Sequence, residues 1–397
     1  LNPDIEAAIR ADRAAGRAHP HRFDDANVVR RERNPHDDAT LTRPAFARDI
    51  EKILNVPAYN RYAGKTQVFS FVEDDDICRR GLHVQLVGRV ARAIGELLGL
   101  NGHLIEAIAL GHDVGHTPFG HAGERFLSKA LHARTGRYFN HNVHSVRVLD
   151  KLYRRNISLQ TLNGVLCHNG EFACQTLRLG GMEDFEALDG TVEACARDES
   201  NIAELRPSTL EGCVVRVSDM IAYIGKDRQD ALDRGVIPSL DIFDSDYIGV
   251  DNARIINNLT IDIVNHSYGT DRISMSEEAF ADLKRAKRQN YELIYNEEGM
   301  TEDAGNLVEE MFERLYERLA DDLARGDESS PVFKHHIAKL CAKSRSITVD
   351  GYLEEGTDQI VVDYLSSMTD DCFLSLYRHL FPDDARRVAI KDYCYDL

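Results

Sequence analysis

The chain of 397 residues is 43% apolar, 8% aromatic and 29% charged, with 27 glycines and 10 prolines, an ordinary globular composition that excludes disorder, collagen and a disulfide mini-scaffold. Its formal charge of −18 repels polyanions, so extended nucleic-acid binding is not expected, although a few local cations or a metal can dominate one pocket for a small phosphorylated ligand. No apolar window reaches the length of about 18 residues that spans a membrane, residues 1–17 lack the apolar core of a secretion signal, and the eight scattered cysteines (Cys78, Cys167, Cys174, Cys195, Cys213, Cys341, Cys372, Cys394) form no C-x-x-C pair and read as reduced thiols of a cytoplasmic protein.

Residues 1–40 are polar and carry the run Arg30-Arg31-Glu32-Arg33; the expectation is a solvated arm, with contact to a ligand or a second subunit as the other reading. Short strands are allowed near Thr66 to Phe71. From Pro44 onward the helical period dominates. Val84, Val87, Val90, Ala91, Ile94, Leu97 and Leu98 fall three and four apart, the pattern of one buried helix face. After the Gly99-Leu100-Asn101-Gly102 break, Leu104, Ile105, Ile108, Ala109 and Leu110 continue it, and Val143 to Tyr153, Val214 to Ile224 and Leu307 to Leu319 repeat it. Ile255 to Val264 is a β-branched run that fits helix or strand. No repeat and no Gly/Ser- or Pro-rich linker divides the chain. The predicted fold is all-α with at most a few short strands: residues 41–397 form a single large helical domain with helical C-terminal additions.

The histidines are the first anomaly. Nine of sixteen lie between His83 and His168, against about three or four for a uniform scatter. At their centre, Leu110-Gly-His112-Asp113-Val-Gly-His116-Thr-Pro-Phe-Gly-His121-Ala-Gly-Glu124 ends an apolar helix in adjacent His and Asp, then turns through glycines past two more histidines. At a helix end both His112 and Asp113 can reach one ion, and imidazole with carboxylate suits Mn, Fe, Zn or Ni more than Cu(I). His83, which opens the preceding helix, and Asp219, set in an otherwise apolar helical run, are the candidates for the remaining ligands. Burying Asp219 unpaired would cost several kcal/mol. His121 and Glu124 sit three apart, so on a helix they face the same way, and Glu124 can fix the tautomer of a proton-transferring His121. Arg80, three residues before His83, is placed to clamp a phosphate. Tyr223 and Asp227, four and eight residues after Asp219, share its helix face.

The order His83 … His112-Asp113 … Asp219 resembles the metal motif of the HD-domain phosphohydrolases. The full G-H-D-x-G-H-x-P-F-G-H-x-G-E string is similar to the dGTPase-type branch, the deoxynucleoside triphosphate triphosphohydrolases. Further segments carry the same resemblance: Thr42 to Asp49, Gly64-Lys65-Thr66-Gln67-Val68-Phe69, Arg80-Gly-Leu-His83, Phe139-Asn-His141-Asn142, Asp219 to Asp227 as D-x-x-x-Y-x-x-x-D, and Asp363 to Asp370 as D-Y-x-x-x-M-T-D. Val84, Thr117 and Asn142 depart from residues frequent in relatives without removing a candidate ligand or the His121/Glu124 pair, and they leave the preferred base open.

The resemblance implies attack of water at the α-phosphorus of a dNTP, giving deoxynucleoside and tripolyphosphate. It implies one divalent metal per subunit (Mn, Fe, Mg, Ni or Zn, with Mn favoured for assays) on His83, His112, Asp113 and Asp219, and a catalytic pair His121 and Glu124. His116 and His141 would line the phosphate site beside Arg80. Tyr223 would pack on the deoxyribose where a 2′-hydroxyl would clash, and Asp227 would accept from the 3′-hydroxyl. Relatives are commonly homo-oligomers, tetramers or hexamers, some controlled by an allosteric nucleotide bound between subunits, and residues 228–350 are free to supply such an interface or effector site. Two other readings stand beside this one: another HD-type nucleotide phosphohydrolase such as a 5′-nucleotidase, and a catalytically weak dNTP-sensing oligomer. The His121/Glu124 pair, which binding alone does not need, speaks against the second.

Overall fold

Apolar residues at helical spacing become helices throughout the described residues. The computed structural model describes residues 1–72, 74–169, 174–295, 302–344, 347–386, 388 and 390. Its α-helices are α1 (Pro3–Ala15), α2 (Ala45–Leu54), α3 (Pro57–Arg61), α4 (Arg80–Leu98), α5 (Gly102–Gly111), α6 (Gly120–Thr135), α7 (His141–Arg147), α8 (Leu159–Leu166), α9 (Phe185–Arg197), α10 (Leu210–Asp233), α11 (Asn252–Ser267), α12 (Glu277–Asn290), α13 (Glu302–Ala324), α14 (Ala338–Lys343), α15 (Val349–Leu353), α16 (Thr357–Ser366) and α17 (Asp370–Leu380). Two three-residue strands, β1 (Thr176–Arg178) and β2 (Arg272–Ser274), pair antiparallel with buried Leu177 opposite buried Ile273.

Local chemistry sets the helix ends that matter for the site. Gly99 closes α4 in the left-handed conformation at φ 74°, which glycine adopts without a Cβ penalty. Asn101 then caps α5 by accepting from the Leu104 amide, and Thr209 caps the 24-residue α10 through the Gly212 amide, each satisfying an amide that has no partner within its helix. The run Ile255 to Val264 is helical within α11: Asp251 caps its start, and Ile255, Leu259 and Ile263, four apart, are fully buried. The strand allowed near Thr66 to Phe71 is reduced to one antiparallel bridge, Thr66 to Arg79. Phe71 takes a positive φ of 62°, which ends an extended run.

Residues 1–40 are largely exposed, but they are tied to the body at several points. Ile9 of α1 is buried in the core. Arg30 is buried against Asp49 at 2.7 Å, and Arg31 binds Asp150 and Asp189, each at 2.8 Å, beneath the Phe185 ring. Each of these two cations found an inward-facing carboxylate of the body. Among the described residues no helix is long and apolar enough to cross a membrane. The seven described cysteines are free thiols, and Cys394 lies outside the described residues.

Two apolar clusters hold the helices. One joins α4, α5, α10 and α11 through residues such as Val87, Ile94, Ile105, Val214 and Ile263. The other joins α6, α7, α8, α13, α16 and α17 through Leu127, Val146, Leu162, Phe312, Leu365 and Phe373. Helix α5 contributes to both, with Ile105 and Ile108 in the first and Ala107 and Leu110 in the second. Its C-terminal end, where His112 and Asp113 stand, is therefore fixed from two sides.

Candidate active site

Three of the four predicted metal ligands, His83, His112 and Asp219, come together, and Asp113 stands beside His112 in a second group with His168. His83, on the first turn of α4, places Nε2 2.9 Å from Asp219 Oδ1 of α10. His112 Nε2, at the end of α5, lies 3.9 Å from the same oxygen and 3.5 Å from Asp113 Oδ2. His112 Nδ1 donates to the Ala109 carbonyl at 2.7 Å, which turns Nε2 inward, the arrangement by which backbone acceptors orient metal-binding imidazoles. His112 is fully buried, and its Nε2 has no hydrogen-bond partner. A buried imidazole nitrogen left unsatisfied is costly, and a cation removes that cost. His83, His112 and Asp219 offer ligand atoms within 4.8 Å of one another, so the residues present fit a divalent ion. Burial alone would push Asp219 up, but the His83 hydrogen bond and charge, with His112, hold it below the ordinary carboxylate range.

Arg80 is buried and ion-paired to Asp113 Oδ2, with a second donation to the Thr66 carbonyl at 3.2 Å. Burial opposes charge on Asp113 too, and His112, Arg80, His116 and His141 together outweigh it and keep the carboxylate ionised.

The pair His121 and Glu124 forms on the first turns of α6. His121 Nδ1 lies 3.1 Å from Glu124 Oε2, and the imidazole is 70% exposed while the Glu124 side chain is 13% exposed. The other Glu124 oxygen, Oε1, accepts from the His141 amide at 2.7 Å and from His141 Nδ1 at 2.9 Å. Burial disfavours the Glu124 charge, but the His141 charge and the hydrogen bonds from His121 and His141 hold it well below its ordinary value. His141 is correspondingly raised to about 9: burial works against its proton, and Glu124 and Asp113 more than compensate. His116 stacks on His141 at 4.6 Å between ring centroids. It is fully buried with neither ring nitrogen hydrogen-bonded. Burial, with Arg80 and His141 nearby, pushes it well below its ordinary value, so it is a neutral imidazole.

Close backbone contact shapes the turn between these groups. A Cβ on Gly115 would lie 2.3 Å from the Ser145 amide nitrogen of α7, so only glycine lets the turn lie against α7; the Gly115 amide donates to Ser145 Oγ at 2.9 Å. Asp370, at the start of α17, accepts from the Phe119 amide at 2.9 Å with one oxygen and from the Thr66 amide at 3.0 Å and its hydroxyl with the other. Buried Lys65 donates to the carbonyls of His116 and Ser366, and its burial beside Arg61 and Arg80 brings it down to about 7. The Gly64-Lys65-Thr66 and Met368-Thr369-Asp370 segments therefore brace the turn. Asp363 does the same at a distance: it takes both Arg147 donors at 2.7 Å and the Tyr352 hydroxyl at 2.8 Å.

Beside His121 opens a cavity of about 310 Å³ lined by Gln67, Arg125, Tyr223, Asp227 and Tyr295 among others. Tyr223 and Asp227 line one wall together, as their shared helix face predicts. Asp227 is buried and raised to about 7 by that burial, although the Tyr295 hydroxyl donates to its Oδ2 at 2.6 Å. Sequence reasoning missed Tyr295, Tyr291 and Lys287, which bring part of residues 228–350 into the site; their stretch carries no motif, and only the tertiary fold places it here. It also gave no role to His168, which counted only toward the histidine excess and lies within 3.8 Å of Asp113.

Residues 80–224 match the HD domain family. Over 349 residues the chain is 30% identical to a deoxyguanosinetriphosphate triphosphohydrolase-like protein of Caldanaerobacter subterraneus subsp. tengcongensis, covering 85% of each chain. A protein of the same description from Clostridium perfringens is 30% identical over 88% of this chain and 90% of its own. Another from Geobacter sulfurreducens is 28% identical over 94% of both. With the histidine and aspartate cluster inside the matched segment, the chain belongs to the HD-domain family of deoxyguanosinetriphosphate triphosphohydrolase-like proteins.

Proposed function

We propose that this protein is a metal-dependent dNTP triphosphohydrolase that releases deoxynucleoside and intact tripolyphosphate. The observation that carries the reading is that His141 joins Glu124 of the His121/Glu124 pair to Asp113 of the ligand set, while His121 lines a cavity with Tyr223, Asp227 and Tyr295. A divalent ion held by His83, His112, Asp113 and Asp219 would polarise the phosphoryl group and lower the pKa of water.

The chain's own residues do the rest. Glu124, ionised and fixed by His141, accepts from His121 Nδ1 and so sets Nε2 as the atom that exchanges a proton with water or with the leaving 5′-oxygen. His116, a neutral imidazole with both ring nitrogens unpartnered, can donate its one N–H to a phosphate oxygen. Arg80 and His141 bring positive charge to the same place, and both are braced by carboxylates before substrate arrives, so little reorganisation is needed when charge develops. On the sugar side, Tyr223 packs on the deoxyribose face. Asp227 takes the 3′-hydroxyl on the oxygen that Tyr295 leaves available.

The test is turnover of each of the four dNTPs and four NTPs with Mn²⁺. Tripolyphosphate from dNTPs, with NTPs poorer substrates, is the expected result; orthophosphate or pyrophosphate would move the assignment to another HD-type phosphohydrolase.

A further inference from the structure

We propose that a small cavity bounded by α3, α14 and α16 binds a single phosphate group on Arg61, Lys65, Lys339 and Lys343. It shares no lining residue with the cavity beside His121 and contains none of the candidate metal ligands.

Charge marks the cavity. The chain carries a formal charge of −18, yet this lining gathers Arg61 at the end of α3, Lys339 and Lys343 one turn apart on α14, and Lys65. Among the described residues none of these four is ion-paired. Asp363, the one acid of the lining, is already committed: its oxygens take two Arg147 donors at 2.7 Å, the Tyr352 hydroxyl at 2.8 Å and the Gln359 amide at 2.9 Å. Cations gathered in one cavity without a free counter-charge repel one another, and an anion removes that cost.

Lys65 is the buried member, 2% exposed. Two of the three ammonium donors go to the carbonyls of His116 and Ser366, which leaves one for the cavity that Lys65 lines. Burial, with Arg61 and Arg80, brings this amine down to about 7, and a bound anion favours its ammonium form. Arg61 adds a planar fork suited to phosphate oxygens. Lys339 and Lys343 are exposed and place charge where an anion enters. Through Lys65, a phosphate held here stands one side chain away from the turn that carries His116.

Size selects the ligand. The cavity measures about 50 Å³, room for about four waters at about 10–15 Å³ each, which matches the four oxygens of one phosphate. Small-molecule sites begin at about 300 Å³, so a nucleoside does not fit. The group is either free orthophosphate or the end of a polyphosphate whose remainder stays outside, beside Lys339 and Lys343.

Full-length protein loaded with Mn²⁺ would be dialysed to equilibrium against radiolabelled orthophosphate. Lys339→Glu/Lys343→Glu reverses two exposed charges and leaves the metal centre untouched, so phosphate bound at that centre is common to both proteins. Wild type should show a site that the double variant binds about tenfold or more weakly. Arg61→Gln should weaken the same site from another helix, which keeps the test open should the double variant melt early. Equal isotherms in wild type and both variants would overturn the proposal and assign all bound phosphate to the metal centre. Competition by unlabelled tripolyphosphate separates the two sources: displacement from this site at a lower concentration than orthophosphate needs supports a polyphosphate end, and displacement only at a higher one supports the free ion. The result is independent of the reaction proposed above, which stands or falls on the product released from a dNTP.

Discussion

The histidine wall and the wall of the cavity beside His121 are built from sequence in opposite ways. The histidine wall comes mostly from one stretch, His112 to His141, joined by His83, His168 and Asp219, and each polar group on it is costly to bury without its neighbour. The cavity wall is gathered from Gln67, Arg125, Tyr223 and Tyr295, whose side chains are common in any protein. Helix α10 belongs to both and shows the difference within two turns. Asp219 is held low by His83, whereas Asp227, eight residues on, is raised to about 7 by burial beside a neutral phenol. One carboxylate is built to stay charged against a cation, the other to share a proton with hydroxyl groups. On the proposed function, the contrast separates reaction chemistry from recognition.

Substitutions on the two walls should therefore fail differently. Asp113→Ala removes the carboxylate that lies between His112, His141, His168 and Arg80, so turnover should vanish and bound metal should fall; wild-type rates in that protein would break the comparison outright. His121→Ala should lower kcat by about 10²–10⁴-fold, the usual worth of general acid–base catalysis, while metal content measured by atomic emission stays at the wild-type value. Asp370→Ala tests the brace shared by both walls. It strands the Thr66 and Phe119 amides, and at about 1–3 kcal/mol for an unsatisfied buried donor the melting temperature should drop by several degrees. On the recognition wall the effects should be smaller and selective. Tyr223→Ala should narrow the ratio of dNTP to NTP turnover with the product unchanged; a constant ratio would remove Tyr223 from sugar discrimination.

A separate expected effect concerns pH. The folded value of Asp227, about 7, lies above its ordinary 3.8, so the native state binds the proton more tightly than the unfolded chain, and this carboxyl lowers stability progressively as pH rises from about 4 to about 7. Asp227→Asn should accordingly gain thermal stability over wild type at pH 8 and lose that advantage toward pH 4, which melting curves across the range would reveal.

The same contrast explains what was legible beforehand. The grouping of His83 and His112 with Asp219 was readable in part because a carboxylate in an apolar helical run, such as Asp219, demands a partner, and the His121/Glu124 contact followed from a spacing of three on a helix. The all-helical fold followed from periodicity, down to Val84 to Leu98 and Val214 to Ile224. The run Ile255 to Val264 was ambiguous because β-branched side chains suit both states until a cap such as Asp251 decides. Tyr295 and Lys287 were illegible, since they reach the cavity only through the packing of α12 on α10. Arg30 and Arg31 misled for a related reason: a basic run looks solvated until the inward carboxylates of Asp49 and Asp150 are placed.

The most direct test of the central claim is identification of the phosphate product by ³¹P NMR, using purified protein with Mn²⁺ and a single dNTP. The account predicts tripolyphosphate as the first product, from wild type and, slowly, from Tyr223→Ala. Orthophosphate in its place would contradict attack at the α-phosphorus, and pyrophosphate would contradict departure of the 5′-oxygen; either would overturn the role assigned to His121 and Glu124.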